Sequence, residues 1–246
     1  MGRHFTVFGT LGTAVKAYAR NFISITALAV LVYSPLIVYS IYGLYQAGHA
    51  ETRAESRHQG GIVFAVMCIG TFLLSKVLAG AVGYAVFNQL RGTHVSFSAC
   101  VTNGIRRLIP VLLTCLVLVV LIGVATATYV LPGIICTCLT YVAVPSAVIE
   151  GGGPFKAFAR SVKLVDKDVP RIFVMLLTFI ALQIGVYWGL LAVLDAAGVP
   201  LVAFIVFLAL TILFGAFDAV LSSVAYANLR VDRDGIIAAD LANVFD

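Results

Sequence analysis

The sequence predicts an all-α polytopic membrane protein: six transmembrane helices in three hairpin units, each unit preceded by a cytoplasmic amphipathic interfacial helix. Three observations carry this. The 246 residues are 61% apolar and 11% charged, with a mean hydropathy of +1.06, whereas a soluble domain carries about 25% charged residues. The charges fall mostly between long apolar runs. A short basic motif recurs ahead of two of those runs. The chain reads as one helical membrane domain, residues 1–246, with units at about 5–90, 96–150 and 154–230 and a short cytoplasmic tail, 231–246.

A span needs about 20 mostly apolar residues to cross about 30 Å of hydrocarbon. Six stretches qualify: Phe22–Tyr45, Ile62–Gln89, Pro110–Leu131, Pro132–Ile149, Ile172–Leu194 and Pro200–Leu229. The third and fourth meet at Leu131-Pro132-Gly133, where proline removes a backbone donor and glycine permits a tight reversal, so a hairpin is expected there. Pro110 and Pro170 stand at or just before helix starts, where proline is tolerated. Pro35 and Pro145 lie inside spans and are expected to kink them or mark their ends. The opening Met1-Gly2-Arg3-His4-Phe5 has no apolar core ahead of a small-residue cleavage site, so no cleaved signal peptide is expected.

Six spans put the basic segments on one side. These hold Arg3, Lys16 and Arg20; Arg91, Arg106 and Arg107; Lys156, Arg160, Lys163, Lys167 and Arg171; and Arg230 with Arg233. The other side has a charge-balanced loop (Glu51, Arg53, Glu55, Arg57), a tight turn and the connection around Asp195. The positive-inside rule then makes both termini cytoplasmic.

Lys16-Ala-Tyr-Ala-Arg20-Asn21 matches Lys156-Ala-Phe-Ala-Arg160-Ser161, and a degenerate copy runs from Phe97 through Asn103. Each copy is amphipathic at helical spacing. Phe5, Phe8, Leu11, Val15 and Tyr18 form the apolar stripe of the first; Phe155, Phe158, Val162 and Val165 form that of the third. A basic amphipathic helix beside a span is read as lying in the headgroup layer. Its cations there meet anionic lipid, worth about 1 kcal/mol each. Lys16, Arg20, Arg106, Arg107, Lys156, Arg160, Lys163 and Lys167 are the expected headgroup contacts. Nucleic acid is not an expected partner, since no soluble domain would present these residues to it.

Two charges sit inside apolar runs: Lys76 and Asp218. A charge at that depth costs roughly 2.5–3.5 kcal/mol on insertion scales. Val82-Gly-Tyr84 before Leu90-Arg91 aligns with Val224-Ala-Tyr226 before Leu229-Arg230, and eight residues back from each tyrosine stand Lys76 and Asp218. Lys76 lies 15 residues before Arg91 and Asp218 lies 12 before Arg230, which at about 1.5 Å per residue is about 22 and 18 Å from the basic rim. Opposite charges at similar depth on helices of the same direction predict an intramembrane ion pair.

Pro145, Glu150, Ala157, Arg160-Ser161 and Leu164, then an apolar span, then Ala225-Tyr226, Leu229-Arg230 and Gly235 form a pattern. It resembles a bacterial integral membrane domain family, the one sometimes fused to glycerophosphodiester phosphodiesterases, with stand-alone uncharacterised relatives. The resemblance is clearest from about residue 140 onward. Asp166-Lys167-Asp168 departs from it, standing where a glycine and an aromatic often follow the leucine. The resemblance implies a six-helix domain of the bacterial cytoplasmic (inner) membrane with cytoplasmic amphipathic helices, tied to lipid or envelope biology. It marks Pro145, Glu150, Ser161, Tyr226 and Arg230 as structural motif positions. It implies no reaction, because the chain carries no phosphodiesterase domain.

Other constellations read as structure. Cys68, Cys115, Cys136 and Cys138 lie in apolar runs as small hydrophobes, and the two of Cys136-Thr-Cys138 would point to different sides of a helix. Glu55-Ser-Arg-His58 has a carboxylate–histidine metal spacing on one helical face, with His49 and Glu51 nearby. Arg53 and Arg57 are simpler partners for those glutamates, and no metal or other cofactor is expected. Glu150-Gly-Gly-Gly153-Pro154 lacks the Lys and Ser/Thr of a phosphate loop and reads as a joint. No nucleophile–base arrangement is present, so the expected role is not catalytic. The reading is a lipid-contacting accessory or scaffolding subunit, with protein partners or further copies of itself in the membrane. The alternative is a small transporter or channel for a lipid-like or ionic solute that uses Lys76 and Asp218.

Overall fold

The computed structural model describes residues 6–48, 53–90, 108–151 and 153–234. Among them the regular structure is helical throughout: α1 Val7–Arg20, α2 Phe22–Gly48, α3 Arg53–Leu90, α4 Leu108–Thr128, α5 Val130–Thr140, α6 Ala143–Glu150, α7 Pro154–Val165, a 3₁₀ turn Asp166–Asp168, α8 Val169–Ala196 and α9 Pro200–Asp234. Five stretches are helical, long and apolar enough to cross a membrane: Phe22–Gln46, Ile109–Thr128, Val130–Glu150, Pro154–Ala196 and Pro200–Asp234. That is the make-up of a multi-pass membrane protein. Helix α3 has 38 residues, with a shorter apolar stretch, Ile69–Gly83, at its heart. The degenerate basic motif near Phe97, and Arg106 and Arg107 with it, lie outside the described residues.

Helices α3 and α9 form the most extensive packing in the molecule, and α2 lies against both. Helix α6 closes the pair from a third side. Helix α4 packs on α5, α6 and α3, and α8 on α9 and α5. The core sits where these helices meet, with Leu78, Val82 and Val86 of α3 against Ala216, Ala219, Val220 and Val224 of α9. Lipid gives helices no hydrophobic reason to associate, so contact depends on small residues that let backbones approach. Gly80 is one such point: a Cβ there would stand 2.8 Å from Val111 of α4 and 3.4 Å from Val148 of α6.

The prolines act differently in each place. Pro35 lies within a continuous α2. It cannot donate to the Leu31 carbonyl four residues back, and the Ser34 hydroxyl donates to that carbonyl instead, at 2.8 Å. Pro145 interrupts its span. The helix breaks at Tyr141–Val142, where the proline leaves the carbonyl at i−4 without its usual donor and crowds it. The Ser161 hydroxyl of α7 donates to the Leu139 carbonyl, in the last turn before the break, at 2.6 Å.

One sequence-based expectation is corrected. The α4–α5 reversal is made by Tyr129 alone, in extended conformation (φ −157°, ψ 150°), and not at Leu131-Pro132-Gly133. Pro132 falls in the first turn of α5, where a missing N–H costs nothing. Gly133 serves close packing, since a Cβ there would collide with Thr126 of α4. The amphipathic helices bury Thr10, Ala14 and Ala17 of α1 and Ala157, Ser161, Leu164 and Val165 of α7. Of the apolar stripes, Leu11, Tyr18 and Phe158 pack against the core as Val165 does, while Phe8 is 83% and Phe155 is 75% exposed. Helix α1 docks on α8 and α9, and α7 on α4, α5 and α6.

Gly215 is where α2 meets α9. A Cβ there would collide with the buried Tyr33 hydroxyl and stand 2.8 Å from its Cζ, and a ring has no flexible end to yield. Gly215→Ala is expected to destabilise the protein by about 1–3 kcal/mol, the usual cost of overpacking. Thermal unfolding in detergent beside the neutral control Gly123→Ala, where a Cβ meets nothing within 4 Å, checks this.

Candidate functional site

The structure brings Lys76 and Asp218 together. Lys76 Nζ of α3 lies 3.3 Å from Asp218 Oδ2 of α9, with side chains 13% and 17% exposed. Asp218 Oδ1 accepts a second hydrogen bond, from the Tyr141 hydroxyl at 3.0 Å. The Lys76 ammonium also lies over two rings, 5.4 Å from the centroid of Tyr141 and 5.6 Å from that of Phe72, within cation–π reach. One carboxylate is thus bonded from two other helical segments, α3 and the α5–α6 break. Each of its oxygens has a partner, and the ammonium is faced by an anion and two π-clouds.

Tyr141 was not legible as a site residue. It stands at the break in the Val130–Glu150 span, next to the last turn of α5. No spacing or motif in the sequence ties it to Lys76 or Asp218.

No known family model matches this chain, no curated protein matches it, and no solved structure matches it.

A second cluster sits at the basic end and gathers several motif positions. Glu150 Oε1, at the end of α6, accepts from Arg160 Nε of α7 at 2.8 Å and from the Tyr226 hydroxyl of α9 at 2.7 Å. Arg160 also bonds Asp234 through Nη2, and Arg230 Nε stands 3.7 Å from the same Asp234 carboxylate. Tyr226 is wholly buried, and Arg230 Nη1 reaches its hydroxyl at 3.5 Å. Pro154 starts α7 after two glycines with positive φ, Gly151 (69°) and Gly153 (83°), a conformation that L side chains rarely adopt. The joint thereby turns α7 back so that Arg160 meets the helix that precedes it. This cluster pins α7 to α6 and α9; the charges cancel within it.

The remaining cations behave otherwise. Lys16 and Arg20 on α1, and Lys156, Lys163 and Lys167 on and after α7, are exposed. Among the described residues no group of three or more His, Cys, Asp or Glu could hold a metal. The side chains of Glu55 and His58 lie outside the described residues, as do His49 and Glu51.

Removing one partner of a buried pair strands the other, at about 3–5 kcal/mol. Lys76→Ala is expected at the lower end of that range because Asp218 keeps its hydrogen bond from Tyr141. Exchanging the two (Lys76→Asp with Asp218→Lys) should recover most of the loss; a double variant no more stable than either single one in detergent melts would show that the pair does not act as a unit. Tyr226→Phe should cost about 1.5–3 kcal/mol, the value of a hydrogen bond to a charged group, with increased proteolysis of the α6–α7 joint as its local signature.

Proposed function

We propose that this chain is a non-catalytic integral membrane protein of a bacterial inner membrane, a lipid-contacting accessory or scaffolding subunit of a membrane assembly. In this reading α3 is a span like the other five, giving six in three hairpin units, α2–α3, α4–α5/α6 and α8–α9, with both termini cytoplasmic. The contacts repeat around the bundle in support. The first span of each unit lies between its own second span and that of the neighbouring unit: α2 against α3 and α9, α4 against α6 and α3, α8 against α9 and α5. Each described interfacial helix docks on the unit before it in the same cyclic sense.

The observation that carries the reading is the bonding of Asp218. Its oxygens are taken by Lys76 and Tyr141, so the intramembrane charges serve to fasten three second spans. What is left facing outward is apolar side chain and a rim of exposed cations, which suits lipid and other membrane proteins. The resemblance to the membrane-domain family fits, because it carries no reaction with it.

One observation favours the second reading, a small transporter or channel for a lipid-like or ionic solute. Spans broken beside midplane charges are characteristic of transporter sites, and Val130–Glu150 breaks beside Asp218. The two readings separate on a neutral pair. Lys76→Met with Asp218→Leu should leave a folded protein that still retains anionic lipid and any partner subunit when native mass spectra are taken from its own membrane in mild detergent. A folded double variant that has lost a solute flux shown by the wild type in proteoliposomes would favour transport.

A further inference from the structure

We propose that Arg171, positioned by Asp168 and Arg233, is a seat for the phosphodiester headgroup of an anionic lipid at the corner where α7 turns into α8. This rests on the lipid-contacting reading and gives it one defined site. Asp168 ends the 3₁₀ turn and is buried despite its charge. One of its carboxylate oxygens accepts from Arg171 Nη1 at 2.6 Å and the other from Arg233 Nη2 at 3.2 Å. Arg233 is tied again through Nε to the Leu164 carbonyl, at 3.2 Å. Two guanidiniums share one carboxylate, so this trio, unlike the cluster at Glu150, keeps an unbalanced positive charge.

The two arginines differ in what they have left to offer. The Arg233 side chain is 18% exposed and bonded along two edges; that of Arg171 is 54% exposed and bonded through Nη1. A guanidinium carries five donors in a rigid fork that matches a phosphate bidentately. Asp168 fixes the fork from behind and leaves its outer donors available. Lys163 and Lys167 precede Arg171 at intervals of four residues and are exposed, while Asp166 on the same turn supplies one opposing charge. Along α8, Val174 one turn on from Arg171 and Leu177 one turn further are exposed. A headgroup on Arg171 would therefore have its acyl chains on an apolar wall, which a free phosphate ion would not use. The lipid is the ligand that satisfies both halves.

A diffuse basic patch and a positioned fork respond oppositely to the same changes. Native mass spectrometry, or lipid titration in nanodiscs containing phosphatidylglycerol in a phosphatidylcholine background, reads retained anionic lipid. Arg171→Lys keeps the charge and removes the fork, at a side chain 54% exposed, and a melt beside the wild type's confirms that the variant is folded. It should weaken retention about tenfold, the worth of a charge-assisted hydrogen bond, and about as much as Arg171→Gln. Asp168→Asn adds net positive charge and yet should also weaken retention, in protein whose melting shows it folded. If Arg171→Lys binds as the wild type does, while Arg171→Gln and Lys156→Gln weaken retention equally, the seat is overturned and the general rim reading stands. If the wild type shows no preference for the anionic lipid, both fall. Inorganic phosphate should not displace the lipid; displacement would make the ligand a free anion and overturn the proposal.

Discussion

The bundle depends on one carboxylate. In hydrocarbon a helix gains little by leaving lipid for another helix, because the tails are as apolar as leucine. An unpaired charge at that depth is a cost that only another span can remove. Asp218 has two oxygens and obtains one partner from α3 and one from the break between α5 and α6. Separating any of these helices strands a polar group in an apolar medium. The packing of alanines and glycines around α9 gives close contact, but close contact between small residues tolerates sliding. The charge fixes the register.

The rim cluster solves a different problem with similar parts. Glu150 is contacted from α7 and from α9, Arg160 reaches the far end of α9, and the charges balance. Here water competes, so each contact is individually modest. The wholly buried Tyr226 gives the network its one dry leg. The molecule is thus held at two levels about 12–24 Å apart along α9 by the helical rise, with α9 common to both.

What could be read from the sequence follows from how loud each signal is in a membrane. A lysine and an aspartate in apolar runs are conspicuous, and the repeat ties them to one depth. A tyrosine is ordinary in such a chain, one of ten, so Tyr141 gives no signal of its own. Punctuation residues mislead at the α4–α5 turn, because Pro132 is harmless in a first helical turn and Gly133 is there for proximity to Thr126. Periodicity identified the amphipathic helices but not how far their apolar stripes are covered. Ala17 and Ala157, which allow close approach, share the inner side with Leu11, Tyr18, Phe158 and Val165 of the stripes, and Phe8 and Phe155 stay outside.

The outward rings have a consequence for the surrounding sheet under the proposed reading. Phe8 and Phe155 project from α1 and α7. With those helices lying in a headgroup layer, the two rings would take up area among the headgroups at the basic end, and a dense population of such molecules would crowd that leaflet through cross-section alone.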